Sequence, residues 1–235
     1  MKEEVLDDDN AVACRGASVI AADARESVAA RGRFLFAVSG GRTPWQMLAA
    51  LASEDVPWNA VHFFQVDERV APAGDPDRNL THIRESLLGR VALPPGNLHA
   101  MPVEGDAKDL PAAAARYARE LESFAGTPAV LDLVHLGLGP DGHTASLVPN
   151  DPVLDVTDRA VALAGPYQGR RRMTLTFPVL DRARRILWLA TGADKAPMLA
   201  RLRAGDRSIP AGRVAGDRAL LLTDRAAAGL TARTA

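Results

Sequence analysis

The chain has 235 residues, 47% of them hydrophobic and 24% charged, with a formal net charge of −1. That length suffices to bury the core of one large α/β domain, and the near-neutral balance excludes a general nucleic-acid or anionic-membrane binder, which needs a basic surface. Cys14 is the only cysteine, which excludes an internal disulfide and a thiolate metal cluster. No apolar run approaches the ~20 residues of a membrane helix. The start lacks the basic-then-apolar pattern of a secretory signal, so a cytoplasmic protein is expected. The charge is uneven: the opening MKEEVLDDDN is acidic, while the chain from Arg159 onward is rich in arginine, with a run at Arg170, Arg171 and Arg172.

In chain order, a helical segment is expected at Ala17 to Arg31. FLFAV (Phe34 to Val38) reads as a buried strand, followed by SGGRTP and the helical WQMLAALA. VHFFQV (Val61 to Val66) is a second strand, followed by DERVAP, a loop DPDRNL (Asp75 to Leu80) and the helix THIRESLL. Leu110 to Phe124 is helical, and AVLDLVHLGL (Ala129 to Leu138) is a third strand that runs into LGLGPDG. MTLTF (Met173 to Phe177) is strand-like, with a direction that sequence does not fix. RILWLAT (Arg185 to Thr191) is a fourth strand, followed by the helical GADKAPMLARLRA. RALLLTD (Arg218 to Asp224) is a fifth, followed by RAAAGL. Continuous apolar strands alternating with amphipathic helices predict an α/β fold: an open, mainly parallel sheet with helices on both faces, as a single domain over residues 1–235. In such sheets ligands sit beyond the carboxyl ends of the strands, where the unusual loops of this chain also fall.

Three of those loops carry chemistry. In Ser39-Gly40-Gly41-Arg42-Thr43-Pro44 the glycines let backbone amides approach an anion. Thr43 is placed to cap the following helix with Pro44 at its first position, and the helix dipole then favours a phosphate. In Asp67-Glu68-Arg69, alternation along a strand directs one acid to a ligand and the other to structure, with Arg69 as a planar donor fork. The third loop satisfies G-x-G-x-x-G at Gly137, Gly139 and Gly142. Pro140 and His143 do not fit a dinucleotide cradle, and Asp155 and Asp158 lie at the right distance but not at a strand end. Asp141 and His143, two apart, fit an acid that orients an imidazole acting as general base. His62 and His135 fall in strands and are expected in the core or as satisfied partners, and His82 and His99 in helix or loop. No His-x-x-x-His pair marks a metal site, and Ser146 lacks the G-x-S-x-G elbow of a serine hydrolase. Lys195 at the start of a helix opposes the dipole, a placement that makes sense beside an anion.

Taken together, SGGRTP, VDERVAP with DPDRNL, GLGPDGHTASLVP, RRMTLTFPVL and ATGADKA resemble the 6-phosphogluconolactonase family, in the family's order and from about Phe34 to Leu199. The related glucosamine-6-phosphate deaminases continue their D-G-H loop to a glutamate, where this chain has Val148, which favours the lactonase. The resemblance implies a fold of the sugar-phosphate isomerase/deaminase type and hydrolysis of 6-phosphoglucono-1,5-lactone to 6-phosphogluconate in the pentose phosphate pathway, with no cofactor and no metal. It implies a phosphorylated sugar lactone as the binding partner, and neither nucleic acid nor membrane; a monomer or small homo-oligomer is expected. Carried over by motif, His143 is the general base held by Asp141. The phosphate lies against Ser39, Gly40, Gly41, Thr43, Arg172 and Lys195, and Asp67 and Arg69 line the sugar side. Arg172 can serve only if its strand runs antiparallel to the others or the side chain reaches far. Backbone amides between Gly137 and Gly142 are candidate oxyanion donors. The alternatives are an amino-sugar-phosphate deaminase, a non-catalytic sugar-phosphate sensor on the same fold and, last, a dinucleotide-dependent oxidoreductase.

Overall fold

The apolar runs form strands buried on both faces of one sheet. In the computed structural model, which describes residues 1–104 and 108–230, the strands are β1 (Lys2–Leu6), β2 (Phe34–Val38), β3 (Val61–Gln65), β5 (Leu98–His99), β6 (Leu133–Gly137), β9 (Arg185–Ala190) and β10 (Ala219–Asp224). Their order is β1-β10-β9-β6-β2-β3-β5, and every neighbouring pair is parallel. Period-two alternation then sends side chains to two separate cores. From β2, Phe34, Phe36 and Val38 face the core covered by α1 (Asp9–Arg31) and α2 (Arg42–Leu51), together with Ile83 of α3 (Asn79–Ile83). Leu35 and Ala37 face the core covered by α4 (Leu110–Ala125), α5 (Phe177–Arg182) and α6 (Ala196–Arg203). Helices therefore cover both faces.

The strand order reverses between β2 and β6. From β2 the chain builds outward through β3 to β5, and from β6 it builds the other way through β9 to β10. The crevice above such a switch point is where open α/β sheets place ligands. Here it lies between SGG after β2 and LGLGPDG after β6.

Three further strands, β4 (Asp67–Arg69), β7 (Val161–Tyr167) and β8 (Arg170–Leu175), form a small antiparallel sheet of order β4-β8-β7. Val66 stitches the two sheets: its N–H donates to the Val38 carbonyl, and its own carbonyl accepts from Leu175 N–H. The strand expected at Met173 begins three residues earlier, takes in the arginine run and runs antiparallel, so Arg172 pairs in register with Arg69.

One other expectation shifts. The first helix begins at Asp9 rather than near Ala17, because the Asp8 carboxylate caps it by accepting the Ala11 N–H at 2.7 Å. The acidic start is an ordered edge strand, whose Glu3 and Glu4 pair with Arg203 and Arg15. RAAAGL forms turns.

Candidate active site

A cavity opens at the switch point, and the sequence-derived candidates converge on it. Ser39, Gly40 and Gly41 form one wall, Gly137 to Pro140 with His143 another, and Asp67, Arg69, Arg172 and Lys195 close it. Two candidates stand outside this wall. Thr43 opens on an adjoining cavity that shares Gly40, Gly41, Gly137, Leu138 and Lys195 with the first. Its hydroxyl lies 2.6 Å from that of Thr191 and caps nothing. The cap of α2 is Gly41, at φ 131°, which makes no side-chain bond, and Pro44 is the third helical residue. The first-turn amides of α2 therefore lack a side-chain acceptor, the arrangement that favours an anion. Asp141, the second exception, stands behind His143.

Asp141 and His143 form a dyad. The Asp141 Oδ1 lies 2.5 Å from His143 Nδ1 and also accepts the His143 backbone N–H at 3.1 Å. Burial works to raise the Asp141 pKa, but the His143 amide, ring and charge, with the Tyr167 hydroxyl, outweigh it and hold the carboxyl below its ordinary value. With Nδ1 engaged, Nε2 is the ring nitrogen left for the cavity. The loop is tightly closed: Gly139 N–H donates to the His143 carbonyl and Gly142 N–H to the Gly139 carbonyl. Those two amides are thus already used and drop out as oxyanion donors. No helix follows Gly142, as a dinucleotide loop requires.

The triplet on β4 divides its labour as alternation predicts. Glu68 is fully buried; it accepts the N–H groups of Asn79 and Leu80 and pairs with Arg78 at 3.2 Å, fixing the chain that enters α3. Asp67 faces the cavity. Its Oδ2 accepts from the Ser146 hydroxyl at 2.7 Å, and its carbonyl accepts from the Asn79 amide. Arg69 lines the cavity while donating to the Asp77 carbonyl.

The cations near the cavity differ in burial and in partners. Along β8, Arg170 pairs with Asp75 and Asp77 and Arg171 faces solvent, while Arg172 is 3% exposed. Burial pushes the Arg172 pKa down, against the pull of Asp67 and with the repulsion of Arg69. Among the described residues its hydrogen-bond partners are neutral oxygens, those of the Tyr167 backbone and the Gln168 side chain. A buried guanidinium without a carboxylate partner is costly unless a ligand anion completes it. Lys195 ends a short 3₁₀ turn before α6 and reaches Asp194 at 3.2 Å.

Four contributors escaped the sequence. Asn79 is buried, lines the cavity and leaves Oδ1 without a partner among the described residues, as does the Ser39 hydroxyl. Asn79 sits in DPDRNL, where its type alone marks nothing. Ser146 serves as a donor to Asp67 rather than as a nucleophile. Tyr167 and Gln168 lie in a hairpin that resembles a loop. Of the histidines assigned to helix or loop, His99 is instead in β5, bonded to His62 and Glu120. His135 is core, as expected. Its Nδ1 accepts the Ser39 N–H at 3.4 Å, and burial pushes its pKa down to about 3.

With this geometry in place, comparison with known proteins is decisive. The family model described as glucosamine-6-phosphate isomerases/6-phosphogluconolactonase matches residues 7–222. The chain belongs to this family. It is similar to several 6-phosphogluconolactonases. It is 39% identical over 234 residues to the 6-phosphogluconolactonase of Mycobacterium bovis, covering 94% of each chain. It is 40% identical over 183 residues to that of Synechocystis, covering 76% of this chain and 75% of the relative. The solved 6-phosphogluconolactonase of Trypanosoma brucei superposes with a TM-score of 0.86 over 97% of both chains at 27% identity. The expected family, fold class and hydrolytic enzyme class all stand. Among the described residues no helix is long and apolar enough to cross a membrane.

Proposed function

We propose that the protein hydrolyses 6-phosphoglucono-1,5-lactone to 6-phosphogluconate, with His143 as general base. The observation that carries this reading is an imidazole whose Nδ1 is held by Asp141 and whose ring lines a cavity walled by Arg69, Arg172 and Lys195. A lactone is an activated ester, so water needs deprotonation and placement more than a covalent nucleophile. His143 Nε2 takes a proton from water as its oxygen bonds to the carbonyl carbon. The imidazolium, stabilised by ionised Asp141, then returns the proton to the ring oxygen as the ring C–O bond breaks. Arg172, Lys195 and the uncapped start of α2 hold the remote phosphate, with Ser39, Gly40, Gly41 and Thr43 around it, and Asp67 and Arg69 meet the sugar. Binding energy from the phosphate holds the carbonyl against the base. All these groups come from one chain, read as a single unit over 1–235. The deaminase reading needs a carboxylate where this chain has the buried Val148.

The test is hydrolysis of freshly prepared lactone, corrected for spontaneous opening. His143→Ala should lower kcat by roughly 10²–10⁴-fold, the range of general base catalysis. Arg172→Ala and Lys195→Ala should act mainly on KM. A wild-type rate at background, with ammonia released from glucosamine 6-phosphate, would replace this reading with the deaminase.

A further inference from the structure

We infer that Tyr167 is a positioning residue for the hydrolytic dyad: its hydroxyl fixes the Asp141 carboxylate that orients His143, while its ring and carbonyl hold Arg172 beside the same cavity. The inference rests on His143 as the base.

Tyr167 ends β7. The next two residues, Gln168 and Gly169, have φ of 52° and 78°, and Arg170 pairs back with Tyr167. A two-residue hairpin with both φ positive matches the twist of its strands and sets the flanking side chains firmly. From that position the Tyr167 hydroxyl donates to Asp141 Oδ2 at 3.1 Å. Because Oδ1 is taken by the ring and amide of His143, both carboxylate oxygens are bound and rotation about the Cβ–Cγ bond is blocked. The tyrosine ring meets the imidazole edge-on, with centroids 5.1 Å apart, and the Arg172 guanidinium stacks over it at 5.0 Å. Burial raises the pKa of the hydroxyl, the Asp141 bond and charge add to this, and Arg172 opposes them, so the group remains a donor at neutral pH.

The two roles separate chemically. The ring suffices for stacking on Arg172, whereas the hydroxyl bonds the dyad. Without the hydroxyl, the carboxylate is free to turn and the imidazole to place its proton on Nε2, where it cannot act as a base.

Tyr167→Phe should therefore lower kcat by about tenfold or more, the value of a hydrogen bond to a charged group. KM and the affinity for 6-phosphogluconate should stay within about twofold, because the stack that holds Arg172 remains. Tyr167→Leu, which removes the ring as well, should raise KM in addition. The imidazole ¹⁵N resonances of His143 give a second readout: a single Nδ1–H form in the wild type, and a mixture of tautomers in Tyr167→Phe. Unchanged kcat, or a loss confined to KM, would overturn the inference. If the wild type does not hydrolyse the lactone above background, the functional reading fails separately; the ¹⁵N comparison then decides alone, and an unchanged tautomer rejects the role of Tyr167.

Discussion

A carboxylate bonded on both oxygens is a fixed charge, and in the proposed mechanism Asp141 balances the imidazolium of His143. Replacing it by asparagine keeps the shape but removes the charge, and the amide can donate to the ring, turning the imidazole to the form with its proton on Nε2. Asp141→Asn should then cost on the order of 10²–10⁴ in kcat. Binding of 6-phosphogluconate, measured by calorimetry, should persist, because Arg172 and Lys195 are untouched. A variant that loses affinity while keeping kcat would mean that Asp141 contacts the ligand rather than the base.

At the scale of elements, the loop after β6 is built around the space that one glycine leaves. A Cβ on Gly139 would stand 2.1 Å from His143 Nδ1. Gly139 is not among the residues with positive φ, so the backbone itself accepts an L side chain. Gly139→Ala should therefore displace the imidazole without unfolding the chain. The expected result is a fall in kcat of about 10²-fold or more, as for loss of the base, with a thermal midpoint within a few degrees of wild type. A large drop in the midpoint would mean that the loop holds the fold as well as the ring. The same elements show what sequence can and cannot reveal. β2 and β9 were legible almost to the residue, because strands covered on both faces carry unbroken apolar runs such as FLFAV and RILWLA. β1 was not, because KEEVL is an exposed edge stabilised by arginines distant in sequence. β7 was missed too, since Gly165 and Pro166 break its pattern, and Tyr167 went with it. Arg172 was legible as a residue, but its place depended on the direction of β8, which pairing with β4 and β7 sets. His143, Asp141 and the glycine loops stood out because an acid and an imidazole two apart in a glycine-flanked loop form an unusual pattern, and the structure brings them together at one cavity.

For the whole molecule, His135 links acid stability to the core of the sheet. Burial holds its pKa at about 3 in the folded chain, against about 6.5 when unfolded. Below pH 6.5 the unfolded chain gains a proton that the folded chain refuses, so this residue lowers stability by about 1.4 kcal/mol per pH unit between about 6.5 and 3. Above pH 6.5 it contributes no slope. Urea unfolding at pH 7.5, 6 and 5 should show that slope in the wild type and lose its share in His135→Asn, which keeps an acceptor for the Ser39 N–H. Parallel slopes in the two proteins would remove His135 from the account.

The pairing of β1 with β10 joins residues 2–6 to residues 220–224. On the ribosome the first strand therefore emerges long before its partner exists. At ~5–20 residues per second of synthesis, the interval is roughly ten to forty seconds. An apolar strand left single for that time would seek other chains. Lys2, Glu3 and Glu4 make this one tolerable to water while it waits, and Arg15 and Arg203 neutralise its acids once it docks.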